Sequence, residues 1–343
     1  MKTVYVFLDL IHKFKVEHMI DSLFHSIKIG NVTIPGNLFL APLAGFTDKA
    51  FRSICISKGA SFTFTEMVSA EALARNSEKT IKLMERAENE KLLGIQIFLP
   101  DADTAKRALP ELLKANPTVI DINCGCPVPK VVKNGAGSAL MRKPEVIQEI
   151  VKTITGETDV PVTVKLRTGW DLNSINYLEF SEAAIRGGAS LLTMHGRTRS
   201  QGYSGEADWE SIKNLKSKFD VPVIGSGNVF SANEAKIMLE TTGIDGVLFA
   251  RGAMGNPFIF EDTKQLLLTD KAPSINKIDI KIKTAWEHLL LTVKYKSEQT
   301  ACREMKKQLC SYTKGQEGSA ALRNRIVRAE TLEEYREIFK EYL

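Results

Sequence analysis

The sequence predicts a (β/α)8 barrel followed by a small α-helical bundle. Three observations lead there. Eight short apolar, β-rich runs alternate with helical stretches between Leu38 and Phe260, the pattern of parallel strands joined by crossover helices. Each run ends in a polar or glycine-rich group, and barrels of this kind keep their chemistry at the C-terminal ends of the strands. After Phe260 the strands stop and four helical stretches follow. An open doubly wound sheet fits less well, because no GxGxxG follows the first strand.

The elements follow in order. Residues 1–26 contain a lysine and an apolar run, but Asp9 interrupts the run and no small-residue cleavage site follows. They read as an N-terminal extension, not a signal peptide. The barrel is expected over 27–268, with strands at Leu38–Leu43, Phe62–Thr65, Leu92–Phe98, Val119–Asn123, Val162–Leu166, Leu191–Met194, Val223–Gly225 and Gly246–Ala250. Helices are expected over Ala102–Leu113, Pro144–Ile154, Tyr177–Arg186 and Ala232–Glu240. Pro273, inside a mixed stretch, marks a boundary. The helical domain, 269–343, then holds helices at Thr284–Glu298, Cys302–Lys314, Ser319–Arg328 and Leu332–Tyr342, with Gly315 and Gly318 at a break.

Composition narrows the class. The 343 residues are 43% apolar and 25% charged, which places the chain among ordinary globular proteins. The five cysteines, Cys55, Cys124, Cys126, Cys302 and Cys310, have no disulfide-framework spacing and point to a reducing compartment. No apolar stretch approaches the roughly 20 residues needed to span a bilayer. A cytoplasmic protein without a membrane partner is expected. The net charge of +5 is concentrated late in the chain: from Asp270 onward 15 Lys and Arg stand against 11 Asp and Glu. A basic surface there suits a polyanion.

Several strand ends hold groups with chemistry. Two glycine-rich turns, GSGN at 225–228 and ARGAMGNP at 250–257, follow the last two strands, where such barrels build a phosphate cradle from backbone N–H groups. Arg251 adds a fork of donors. Lys165 ends a strand, and a lysine in a barrel mouth is costly unless it meets an anion or a polarised ligand. A reduced flavin ring is one such ligand. His195 could serve the same ring or orient a substrate, and Gln96 could bond a ring amide edge. Cys126 follows the fourth strand in DINCGCP; an ordinary thiol, with a pKa of about 8.5, is protonated at neutral pH and can act as an acid. The Cys124–Cys126 pair raises a redox or metal alternative, but no further Cys/His cluster completes four ligands, so no metal is expected.

These stretches together resemble the tRNA-dihydrouridine synthases, most closely the bacterial B-type subgroup. The matching segments are APLAGFTDKAFR (41–52), TEMVSA (65–70), GIQIF (94–98), DINCGCP (121–127), GAGSALM (135–141), PVTVKLRTGW (161–170), HGRTRSQGYSG (195–205) and ARGAMGNP (250–257). The resemblance implies FMN held by Pro42, Leu43, Ala44, Gln96, Lys165, His195, Ser226, Gly227, Asn228, Ala250 and Arg251. It implies NADPH as reductant and uridine in the D-loop of tRNA as substrate. Hydride would pass from flavin N5 to uracil C6 while Cys126 protonates C5. Asn123, with Arg197 and Arg199 of the HGRTR stretch, would lie on the substrate side. The C-terminal helical domain would bind tRNA, with Arg303 and Lys307 as phosphate contacts and Tyr312, Lys314 and Arg323 as further candidates.

Two departures stand out. The family often has Met where this chain has Cys124, and its seventh-strand turn is commonly Asn-Gly-Asp where this chain has Ser226-Gly227-Asn228. The lost carboxylate is expected to weaken flavin retention. Two alternatives remain at this level: another FMN barrel reductase resembling dihydroorotate dehydrogenase, and a non-catalytic tRNA-binding protein.

Overall fold

The computed structural model describes residues 23–271, 278–315 and 318–343; most of the N-terminal extension and Pro273 lie outside them. All eight expected strands are present. A short hairpin comes first, β1 (Ile27–Ile29) and β2 (Val32–Ile34), followed by β3 (Leu38–Leu40), β4 (Phe62–Thr63) and β5 (Val68–Ser69). The remaining strands are β6 (Gly94–Phe98), β7 (Val119–Asn123), β8 (Val162–Arg167), β9 (Leu191–His195), β10 (Val223–Ser226) and β11 (Gly246–Phe249). The last nine form one parallel sheet in the order β4-β3-β11-β10-β9-β8-β7-β6-β5. The second barrel strand is broken. Its first half, β4, pairs with β3; its second half, β5, pairs with β6; and a Phe64–Gly94 bridge between them closes the ring. Crossover helices cover the outside, including Ala102–Lys114, Pro144–Thr155, Tyr177–Arg186 and Ala232–Thr242.

Strand alternation sorts the side chains. In β7, Ile120 and Ile122 join the apolar layer under the helices, so Asp121 and Asn123 point into the barrel. The first strand is shorter than expected because Pro42 has no N–H to continue the ladder. The hairpin was not anticipated; three-residue strands show too little periodicity to read. It plugs the bottom of the barrel, where Ile27, Ile29 and Ile34 pack against Phe39, Phe62 and Phe64. That leaves the opposite end, at the C-terminal ends of the strands, as the open one.

The bundle consists of helices Ile278–Tyr295, Glu298–Tyr312, Ser319–Arg328 and Leu332–Phe339. The first pair breaks earlier than expected because Ser297 caps the second helix, its side chain accepting from Thr300 N–H. Tyr335 and Phe339 stack in a separate core with Leu289, Met305 and Ile326. This bundle is fastened to the barrel. The Phe51 ring stacks on His288 at 5.4 Å between centroids, and Asp48 pairs with Lys296 at 3.1 Å. His288 in turn meets the Tyr312 hydroxyl at 3.2 Å, and burial depresses its pKa to about 4, so it is neutral there. Gly255, at φ +71°, lies so close to the Ser311 backbone that a Cβ would sit 2.2 Å from its carbonyl carbon. Gly255→Ala should therefore destabilise the protein by roughly 1–3 kcal/mol, read as a lowered thermal midpoint. An unchanged midpoint would mean the two parts are not tightly docked.

Candidate active site

Parallel register assembles the site. Asn123 pairs with Lys165, Arg167 with His195, and His195 with Ser226, so one rim carries groups from four consecutive strands. A cavity of 440 Å³ opens above them, walled by Pro42, Leu43 and Ala44 on one side and by 226–230 with 250–252 on the other. Asn123, Cys126, Lys165, Arg167 and His195 form its floor, and Lys307 reaches in from the bundle. Of the expected site residues, Gln96, Arg197, Arg199 and Arg303 do not line it.

Lys165 makes no hydrogen bond or ion pair among the described residues. Burial and the nearby Arg167 cation lower its pKa to about 8, while Asp121 opposes the shift. The result is a lysine with no directly bonded partner on the cavity floor, Asp121 acting on it only through space. His195 is pushed far below its ordinary range by burial and by the surrounding Lys165, Arg167, Arg197 and Arg251 cations. Its Nε2 faces Arg197 Nη1 at 3.2 Å. A guanidinium only donates, so the ring proton sits on Nδ1.

Cys126 is 7% exposed, and its N–H donates to Asn123 Oδ1 at 2.9 Å. Burial raises its pKa, against an opposing hydrogen bond from Val128 N–H and the charges of Arg167 and Lys165. Cys124 is fully buried, and burial raises its thiol well above the usual range. It is packing, not a second reactive group at the cavity.

The two glycine-rich turns stand side by side on one wall of the cavity. Gly227 sits at φ +119°, where a Cβ would meet Ala207 at 2.7 Å and the His195 ring at 3.1 Å. The backbone N–H groups of Gly227, Asn228, Arg251 and Gly252 have no protein acceptor among the described residues. Such a set is an anion cradle. The Arg251 guanidinium lies over the Tyr203 ring at 4.5 Å and the Phe230 ring at 5.2 Å, beside the cradle.

Several expected residues do other work. Gln96 is fully buried below Asn123, with its amide committed to Asp121 and Asn123. Arg197 is 2% exposed and latches the 204–205 loop, donating to the carbonyls of Ser204 and Gly205 and to Asn228 Oδ1. Arg199 stacks on Trp170 at 4.6 Å. Arg303 is exposed on the bundle surface, and Tyr312 is buried on His288. Asn228 forms a bridge: its oxygen accepts from Arg197 and its Nδ2 donates to Glu206. Arg167 and Tyr203 were missed as cavity residues. The alternation of KLR in β8 carried the signal for Arg167, which shares the inward side with Lys165; its Nε donates to Gly125 O at 2.7 Å and braces the thiol turn.

Beside the cavity, a groove of 640 Å³ is lined by Lys307, Ser311, Lys314, Ser319 and Arg323, and it shares Met254 and Lys307 with the cavity. No group of three or more His, Cys, Asp or Glu suited to a metal occurs among the described residues. Among the same residues no helix is long and apolar enough to cross a membrane.

Fold and site together define a (β/α)8-barrel protein whose cavity combines an anion cradle, an unpaired lysine and a protonated thiol. A sequence profile of the dihydrouridine synthase (Dus) family matches residues 39–342, and the chain belongs to this family. A probable tRNA-dihydrouridine synthase of Treponema pallidum (strain Nichols) is 42% identical over 333 residues, covering 93% of this chain and 97% of the relative. The tRNA-dihydrouridine synthase B of Pasteurella multocida (strain Pm70) is 35% identical over 292 residues, covering 84% and 87%. Among solved structures, histamine dehydrogenase from Rhizobium sp. 4-9 superposes with a TM-score of 0.57 at 15% identity, covering 80% of this chain and 51% of that one. The old yellow enzyme homologue of Zymomonas mobilis gives 0.51 at 13% identity, covering 76% and 96%. These two likenesses show the barrel fold.

The raised Cys126 pKa has a direct consequence. Thiolate forms only above the pKa, so alkylation of Cys126 by iodoacetamide should rise with pH through a midpoint above that of an ordinary cysteine. Peptide mass spectrometry across a pH series reads this; a midpoint near neutrality would contradict a resting thiol.

Proposed function

We propose that the protein reduces uridine to 5,6-dihydrouridine in the D-loop of tRNA, with FMN in the barrel (27–268), NADPH as reductant and tRNA held by the helical domain (269–343). The observation that carries this reading is the meeting of Cys126, Lys165 and the anion cradle on one cavity, in a chain of the dihydrouridine synthase family. The residues fit FMN. Four unpartnered backbone N–H groups and Arg251 suit its phosphate, and Lys165 suits an electron-rich ring that gains negative charge on reduction. Pro42, Leu43 and Ala44 supply an opposing wall.

When bound, FMN supplies the hydride for uracil C6, having taken it from NADPH. Everything else falls to the protein. The C4 carbonyl of uracil polarises the C5=C6 bond, so hydride addition at C6 leaves an electron pair shared between C5 and that oxygen. Cys126 delivers the proton that C5 then needs, and the buried thiol holds that proton until the moment of use. Asn123, adjacent to the thiol turn, offers an amide to the base. The walls of the cavity exclude water from the reacting edge. The basic groove of Lys307, Lys314 and Arg323 suits the phosphates flanking the inserted base.

Mass spectrometry of unmodified tRNA incubated with protein, FMN and NADPH tests the reading. One D-loop uridine should gain the mass of two hydrogens. Cys126→Ala should slow that gain by roughly 100-fold or more, as expected for loss of a positioned acid. Gain at an equal rate in the variant would move the proton donor elsewhere, and no gain with the wild type would overturn the proposed reaction.

A further inference from the structure

Beneath the cavity, three strands place polar side chains at one level. Register puts Gln96 of β6 beside Asp121 of β7, and Asp121 beside Thr163 of β8. All three are fully buried, in a barrel interior where unpaired polar groups are expensive. Asp121 accepts from Gln96 Nε2 at 2.6 Å and from Thr163 Oγ1 at 2.6 Å. Gln96 Oε1 accepts from Asn123 Nδ2 at 2.7 Å. Asn123 Oδ1 accepts from the N–H groups of Gly125 at 3.2 Å and Cys126 at 2.9 Å.

Both ends of this chain are chemically fixed. An ionised carboxylate only accepts, so the Gln96 atom against it must be nitrogen. A backbone N–H only donates, so the Asn123 atom against Cys126 must be oxygen. The middle link then has one sense: Gln96 oxygen to Asn123 nitrogen. With both lone pairs of Oδ1 taken, the second Nδ2–H donates to Met67 Sδ at 3.1 Å on the cavity wall, a weak thioether acceptor that a stronger oxygen can replace.

We propose that Asp121 is a positioning residue for the thiol: acting through Gln96, it locks the Asn123 amide so that its oxygen holds the Cys126 turn and its N–H faces the base. A base carbonyl oxygen satisfies that N–H, whereas an exocyclic amino group meets it donor to donor. The carboxylate is thus three hydrogen bonds away from the Cys126 turn yet sets the polarity of what the base encounters. The inference rests on the reading of Cys126 as the acid.

Asp121→Asn, Gln96→Met and the double variant test it, each as the FMN-loaded protein with flavin content and thermal midpoint measured alongside. An Asn at 121 donates as readily as it accepts, so the amide chain loses its fixed sense. The expected result is a kcat with tRNA lowered by roughly 10- to 100-fold, the scale for a misplaced catalytic group. KM for tRNA should stay within about twofold, since phosphate contacts dominate affinity. Gln96→Met keeps the Asp121 charge beside Lys165 but cuts the relay, so it should give the same loss, with no further loss in the double variant. The iodoacetamide reactivity of Cys126 should change in all three while that of Cys310 does not. Wild-type kcat in Asp121→Asn, or losses that multiply in the double variant, would overturn the proposal. The alkylation readout needs no tRNA turnover, so failure of the relay is distinguishable from failure of the proposed reaction.

Discussion

The structure depends on one register. Asn123 at the end of β7 stands beside Lys165 near the end of β8, and a slip of a single residue would turn both side chains into the apolar layer beneath the helices. Everything at the cavity follows from that pairing. The chain leaves β7 into a turn whose N–H groups are caught by Asn123, placing Cys126 over the barrel. Arg167, two residues beyond Lys165 and therefore on the same side, braces the turn through Gly125. The same alternation places Asp121 and Thr163 one level lower, where the Thr163 hydroxyl donates to the carboxylate.

Charge is arranged around the cavity with equal economy. Burial, and then the surrounding Lys165, Arg167, Arg197 and Arg251 cations, keep His195 neutral. Asp121 is the carboxylate that opposes the lowering of the Lys165 pKa, and burial raises its own to about 6. The cavity is therefore a cationic enclosure, suited to an anionic ligand whose ring also gains electrons. The bundle adds to it: Lys307 belongs to both the cavity and the neighbouring groove. Because Gly255 and the Phe51–His288 stack fix the bundle against the barrel, the direction from groove to thiol is set by the fold.

Much of this was legible in the sequence. The eight strands stood out because parallel, doubly buried strands read as continuous apolar runs, and the strand-end motifs named most of the cavity wall. Side-chain direction was not legible. Arg197 and Arg199 share a conspicuous motif, yet one is buried as a loop latch and the other lies on Trp170. Gln96 appeared as a ligand contact because it ends a strand, but its amide is consumed by Asp121 and Asn123. Arg303, Lys307 and Lys314 share a helix face at the level of periodicity, yet Lys307 and Lys314 line the groove and Arg303 does not. Likewise, the contact between the Asn228 amide and Glu206, 22 residues away in sequence, could not be read from the turn.

In the proposed reaction a reduced flavin and a tRNA uridine meet over Cys126. Anaerobic mixing of the flavin-reduced protein with unmodified tRNA, followed by visible absorbance, tests this in a single turnover. The flavin colour is expected to return only with tRNA, and Cys126→Ala to retard the return. Reoxidation at the same rate with and without tRNA, or with the target uridine replaced by cytidine, would contradict it.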